Sequence, residues 1–198
     1  MLMKKPDRRI PRTEKLLREA LIALIAENDY EAITVQDIVD RANLGRATFY
    51  KHYDGANGKE QLLSNVAAYL FDDLRTRIGT PTRSDLLTAR HPVRALPFQH
   101  ALEHRDLYRV ILLKSESQRA VISTMRTYLA AYMGISEAEL ENNKIMRVPV
   151  EAVVSYLAGA MQALLAWWLN DERTTAYSAA DIAEMYYAMT LPALESVT

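Results

Sequence analysis

Residues 34–53 read Thr34-Val-Gln-Asp-Ile-Val-Asp-Arg-Ala-Asn-Leu-Gly-Arg-Ala-Thr-Phe-Tyr-Lys-His-Tyr53, and they spell two short helices with a tight turn between them. Thr34 and Asp37 form a shortened capping box, in which a hydroxyl and a carboxylate satisfy amides left without partners at a helix start. Val35, Ile38, Val39 and Ala42 supply the buried stripe of the first helix. Asn43-Leu44-Gly45 breaks it, and Arg46 to Tyr53 resumes helical character with Ala47, Phe49 and Tyr53 offered to the core. This is the geometry of a helix-turn-helix, whose second helix turns side chains toward base edges in a major groove. Arg46 is suited to a bidentate pair with guanine and Thr48 to a thymine methyl or a phosphate, while Tyr50, Lys51 and His52 reach phosphate oxygens or base edges.

Outward from this stretch the chain reads as helix throughout. Leu16, Leu17, Ala20, Leu21, Leu24 and Ile25 repeat at helical spacing, which predicts an amphipathic helix over 13–27 with Thr13 as its cap. Asp54 to Gly58 is a loop by its chemistry. A long helix is expected from Lys59 to about Ile78, ended by Gly79 and Pro81. Residues 80–91 read as a connection, and 92–113 as two helices interrupted at Pro97 and near Arg105-Asp106. Further helices are expected at 118–133, from Pro149 to about Leu169, and from Ser178, where a second capping box includes Asp181, to about Leu191 before Pro192. No segment reads as a strand. The fold class is therefore all-α: a three-helix helix-turn-helix domain over 1–58 with a basic amino-terminal arm, then a helical-bundle domain over 59–198.

The chain has 198 residues, 49% of them hydrophobic, enough to bury a sizeable core. Cysteine is absent, which rules out disulfides and thiolate metal sites. No apolar run approaches the roughly 20 residues of a membrane span, so no membrane partner is expected and the cytoplasm is the expected compartment. A net charge of −1 hides an asymmetry. Lys4, Lys5, Arg8, Arg9 and Arg12 stand against Asp7 alone, and from Arg41 to Tyr53 the cations Arg41, Arg46 and Lys51 meet no acidic residue. Positive charge gathers where a polyanion would be gripped.

Thr34-Val-Gln-Asp-Ile-Val-Asp-Arg-Ala42, Ala47-Thr-Phe-Tyr-Lys-His-Tyr53 and Lys59-Glu-Gln-Leu-Leu63 together resemble the tetracycline-repressor (TetR) family over roughly residues 10–65. The resemblance implies that Thr34 caps its helix against a phosphate, that Arg46, Thr48 and Lys51 belong to the recognition surface, and that Tyr50 and His52 grip the backbone. It implies a phosphate contact for Lys59 as well. It further implies a ligand-responsive repressor that binds palindromic double-stranded operator DNA as a homodimer joined by its last two helices, with a small-molecule effector pocket in the larger domain. The chain departs from the family pattern in carrying Asp29 and Asn43 where glycine is usual, and Gly45 where serine or threonine is usual. Asparagine and aspartate enter the left-handed backbone region more readily than most residues, and glycine is an acceptable helix cap.

In the second domain, a helix apolar nearly all round must be buried on more than one side, and a symmetric subunit would supply the second side. Ala158, Gly159, Leu165, Trp168, Ile182, Met185 and Met189 are the expected dimer residues. Tyr69, Tyr108, Met125, Tyr128, Met161 and Trp167 are the expected lining of an apolar effector cavity with a few polar tips. His100-Ala-Leu-Glu-His104 spells the inverted zinc-protease motif. A catalytic zinc needs a third protein ligand and a cleft, and the sequence identifies neither. Ser64, Ser84 and Ser115 lack recognisable partners. No catalytic residue, cofactor or metal site is therefore assigned. A metal-dependent hydrolase built on the His100 motif and a helical interaction module without DNA binding stand as the alternatives.

Overall fold

α1 spans Arg9–Glu27 and buries Leu17, Ala20, Leu21, Leu24 and Ile25 along one face. The structure, a computed structural model, describes residues 9–79, 92–113, 126, 129, 148–170, 174 and 176–197. α1 begins earlier than the expected cap at Thr13, because Pro11 falls in the first turn, where a missing N–H costs the helix nothing. A 3-10 turn at Tyr30–Ala32 follows, then α2 (Val35–Arg41), α3 (Arg46–His52) and α4 (Gly58–Ile78). The remaining helices are α5 (Pro92–Glu103), α6 (Arg105–Leu113), α7 (Val150–Asn170) and α8 (Ala179–Val197). The all-α expectation holds, with no strand among the described residues. The helix expected at 118–133, Met125, Tyr128 and the first eight residues of the basic arm lie outside the description, apart from Arg126 and Leu129.

The chain divides into two compact units, Met1–Ala67 and Ala68–Thr198. In the first, α2 packs against α1 and α3, and Ile38, Val39, Phe49, Leu62 and Leu63 close the core. Arg41 pins α2 to α1 through a fork of hydrogen bonds to Glu27 at 2.9 and 2.5 Å. In the second, α5 lies on α8, and α7 lies against both α6 and α8. The Tyr186 hydroxyl donates to the Leu157 carbonyl at 3.1 Å, joining α8 to α7 inside the core. Arg105 caps the end of α7 by donating twice to the Leu169 carbonyl, at 3.1 and 2.9 Å, where a cation also meets the negative end of the helix dipole.

Two proline expectations are corrected. Pro97 and Pro192 both lie inside continuous helices, α5 and α8. Each costs its helix one hydrogen bond, but these two helices are packed on each other, and Pro97, Phe98 and Ala101 are buried. α7 corrects a third expectation: at 21 residues, with an 18-residue stretch of mean hydropathy 1.5, it is long and apolar enough, by length and composition, to cross a membrane. Here it is the central helix of the second unit, with Val153, Val154, Leu157, Ala158, Met161 and Leu165 buried.

Candidate nucleic-acid interface

The turn between α2 and α3 is fastened at both ends by local chemistry. At the start of α2 the Asp37 amide donates to the Thr34 hydroxyl at 3.2 Å, while the Thr34 amide and hydroxyl donate to the Asp37 carboxylate at 2.8 and 2.6 Å. Those bonds hold the Asp37 carboxyl below its usual range, the Thr34 hydroxyl contributing most. After α2, Asn43 takes a left-handed backbone with φ 52°, a conformation asparagine tolerates. The Leu44 amide then closes on the Val39 carbonyl at 2.9 Å. Gly45 precedes α3 as an N-cap without a side-chain hydrogen bond.

α3 is anchored by Phe49, which is 0% exposed and packs edge-on to Tyr50 and tilted against Tyr53. With Phe49 inward, Arg46, Tyr50 and Lys51 are exposed and Thr48 is half-buried. Ala47, expected to face inward, is exposed as well. One helical turn separates it from Tyr50 and Lys51, so positions 47, 50 and 51 share a face, and its methyl becomes available to a thymine methyl. The Arg46 guanidinium lies 5.8 Å from the Tyr50 ring centroid and donates to the Tyr50 hydroxyl at 3.4 Å, so the two longest side chains of the face are held side by side. Arg12 and Thr13 of α1 border a shallow cleft of about 550 Å³ with Ala42, Asn43 and Leu44, which sets a further cation beside the turn.

Two residues expected at the nucleic acid are placed differently. His52 is half-buried and its Nδ1 lies 3.4 Å from the Glu14 carboxylate on α1, so the ring serves the α1–α3 seam. The Lys59 ammonium donates to the carbonyls of Tyr30 and Ile33 at 3.1 and 2.9 Å and sits 4.3 Å from the Tyr30 ring centroid. It ties α4 to the 3-10 turn, and the phosphate contact expected from its position would require these bonds to be exchanged. Just before it, Gly58 opens α4 so close to α3 that an added Cβ would stand 2.8 Å from the Tyr53 carbonyl oxygen.

The expected effector and dimer residues do not each form one group. Tyr108 and Met161 are buried in the second unit, whereas Tyr69 and Trp167 are exposed. Of the dimer set, Ala158, Leu165, Trp168 and Ile182 are buried within their own chain, Trp168 donating to the Tyr177 carbonyl at 3.2 Å. Gly159 and Met189 are exposed and Met185 is half-buried. The outward apolar stripe of α7 runs instead through Ala152, Tyr156, Gly159, Ala163 and Trp167, and that of α8 through Ala188 and Met189.

The His100 motif sits at the junction of α5 and α6. His100 is 1% exposed; its Nδ1 lies 3.0 Å from the Tyr108 hydroxyl and its Nε2 3.2 Å from the Asp73 carboxylate on α4. Burial, and after it the neighbouring His104, push the His100 imidazole down to about 4, so the ring is neutral at pH 7. Asp73, His100 and His104 each present a ligand atom within 4.8 Å of the others. Asp73 is the member that sequence reasoning missed, since only the packing of α4 against α5 brings it to the motif.

A helix-turn-helix with a cationic, aromatic outer face is the arrangement of a DNA-binding domain, and here a helical second unit follows it. Residues 17–66 match the model of the bacterial regulatory proteins of the tetR family. The uncharacterized HTH-type transcriptional regulator YxbF of Bacillus subtilis is 47% identical over 64 residues, 32% of this chain; the match spans only 16% of that relative's length. A TetR transcriptional regulator from Streptococcus agalactiae shares the fold with a TM-score of 0.62 and 26% identity, over 93% of this chain and 96% of that one. Thermus thermophilus FadR, a TetR-family repressor solved in complex with lauroyl-CoA, does so with a TM-score of 0.62 and 18% identity, over 90% of this chain and 93% of that one. Residues 17–66 thus match the tetR-family regulatory proteins, and the chain shares the helical fold of a solved TetR regulator along most of its length. The proteins it matches are described as transcriptional regulators, which does not favour the hydrolase reading of the His100 motif.

Proposed function

We propose that the protein is a ligand-responsive repressor that reads palindromic operator DNA as a homodimer. The observation that carries the reading is the outer face of α3, where Arg46, Ala47, Tyr50 and Lys51 are exposed around the buried anchor Phe49. Arg46 would read a base edge, most simply guanine, and Lys51 and Tyr50 would hold phosphates, with Thr48 at the margin. Thr34 would approach a phosphate only by exchanging its bond to Asp37.

One such helix buries too little surface for specific binding, and paired half-sites require two. The outward stripes of α7 and α8 support a second copy as the partner: Tyr156 and Trp167 are 51% and 44% exposed, Met189 is 58% exposed, and Gly159 and Ala163 between them permit close helix approach. The effector would act from the second unit. The acyl-CoA bound by the Thermus relative is a reason to begin the search with acyl compounds. A coupling of about 1–3 kcal/mol between effector and operator would alter affinity roughly 5- to 150-fold.

Selection of bound duplexes from a random library tests the reading. Enrichment of an inverted repeat, its half-sites spaced by one helical turn or a multiple of it, is the expected outcome. Recovery of no common sequence, with the protein folded, would refute it.

A further inference from the structure

We infer that Asp73, His100 and His104 form a binding site for one divalent transition-metal ion, of which zinc is the best chemical match. Two imidazoles and a carboxylate are the donor set that zinc takes when three protein groups and a water complete a tetrahedron. The geometry is close to formed. Donor atoms on a tetrahedral zinc stand about 3.3 Å apart, and His100 Nε2 already lies 3.2 Å from Asp73 Oδ2. His104 is the one ligand that must close in, starting no further than 4.8 Å from either of the others.

The surroundings favour an ion over a merely structural cluster. The Nε2 atom of His104 is buried without a hydrogen-bond partner, an expensive state for a ring nitrogen, and a metal would relieve it. His100 and His104 stand a helical turn apart with ring centroids separated by 4.7 Å. The Tyr108 hydroxyl oxygen, 3.0 Å from His100 Nδ1, can accept a hydrogen bond from that nitrogen and so hold the ring with Nε2 presented to the ion. Arg77 is the opposing feature, since its Nε bonds the same Asp73 oxygen at 2.8 Å. It has a second carboxylate to turn to, because it also donates to Glu103. Asp73, Glu103 and Arg77 together contribute one net negative charge beside the two rings before the ion arrives.

An ion held there would fasten α4 to the α5–α6 junction, binding three helices of the second unit at one point. The metal site is separate from the reading of α3, and its test does not involve DNA. The full chain, first freed of metal with a chelator, is titrated with cobalt(II), whose visible absorption reports four-coordinate geometry, and then with zinc. One cobalt per chain, displaced by zinc, is expected. Asp73→Asn and His104→Ala should each weaken binding by about tenfold or more, while Arg77→Gln, which removes the competitor for Asp73, should tighten it. Cobalt bound equally well by Asp73→Asn would overturn the site, because the two histidines would then be acting alone. So would the absence of any four-coordinate cobalt spectrum in the wild-type protein. If Asp73→Asn melts well below the wild type without metal, the decision passes to Arg77→Gln, and unchanged affinity there overturns the proposal.

Discussion

Replacing Gly58 by alanine sets two effects against each other, and the structure says which one wins. Alanine is favoured over glycine by up to about 1 kcal/mol within a helix, and Gly58 is the first residue of α4, where that gain is smallest. Against it, the new Cβ would stand 2.8 Å from the Tyr53 carbonyl oxygen and 2.9 Å from Cε1 of Phe49. Neither neighbour yields easily: Tyr53 is the C-cap of α3, its amide bonded to the Phe49 carbonyl at 2.9 Å, and the Phe49 ring is wholly buried. Overpacking of this kind costs about 1–3 kcal/mol, so Gly58→Ala should destabilise the protein by about 1–2 kcal/mol, a fall in Tm of roughly 2–8 °C. Gly45→Ser is the matched control. No atom lies within 4 Å of a Cβ at Gly45 and its φ is −80°, so serine would add the missing cap and raise stability by a few tenths, about 0.3 kcal/mol. Urea unfolding of the two variants beside the wild type reads both signs. A Gly58→Ala protein as stable as the parent would show that the approach of α4 to α3 is not tight and that the argument is wrong.

Thr34→Ala, which removes the capping hydroxyl, should cost about 0.5–2 kcal/mol in the same unfolding measurement. Because the folded Asp37 carboxyl is held below its ordinary value chiefly by that hydroxyl, its contribution is present above the unfolded pKa and is lost as pH falls through the folded one. An acid titration of stability should therefore be shallower in Thr34→Ala than in wild type. Lys59→Met should destabilise the protein by about 1–3 kcal/mol by stranding the Tyr30 and Ile33 carbonyls; normal stability with a reduced salt slope of DNA binding would return Lys59 to the phosphates. Trp167→Glu, at an outward position of α7, should shift the sedimentation equilibrium toward single chains while leaving the melting of each chain's core in place. An unchanged association state would move the subunit contact elsewhere.

What could be read in the sequence was what depends on neighbours a few residues away. The capping boxes at Thr34 and Ser178 are both present, with Ser178 bonded to Asp181 as Thr34 is to Asp37. The left-handed turn at Asn43 and the end of α4 at Gly79, whose φ is 67°, follow from residue chemistry alone. Where packing decides, the reading failed. Pro97 and Pro192 stay helical because α5 and α8 bury each other's faces. Ala47 is outward because Phe49 takes the core position, and a small residue carries no periodic signal strong enough to reveal it. On α7, apolar nearly all round, periodicity is silent about which side faces out, and the expected stripe came out on the inner side at Ala158 and Leu165. The motif at His100 and His104 was visible as a spacing, but its carboxylate lies 27 residues away on another helix.

The central claim, that α3 is the part that reads DNA, is tested most directly by the affinity of Arg46→Ala for a duplex selected by the wild-type protein. Loss of a bidentate base contact should weaken binding by about 1–3 kcal/mol and relax discrimination at one base pair of each half-site, with the fold unchanged by circular dichroism. Equal affinity and equal selectivity in the variant would contradict the account.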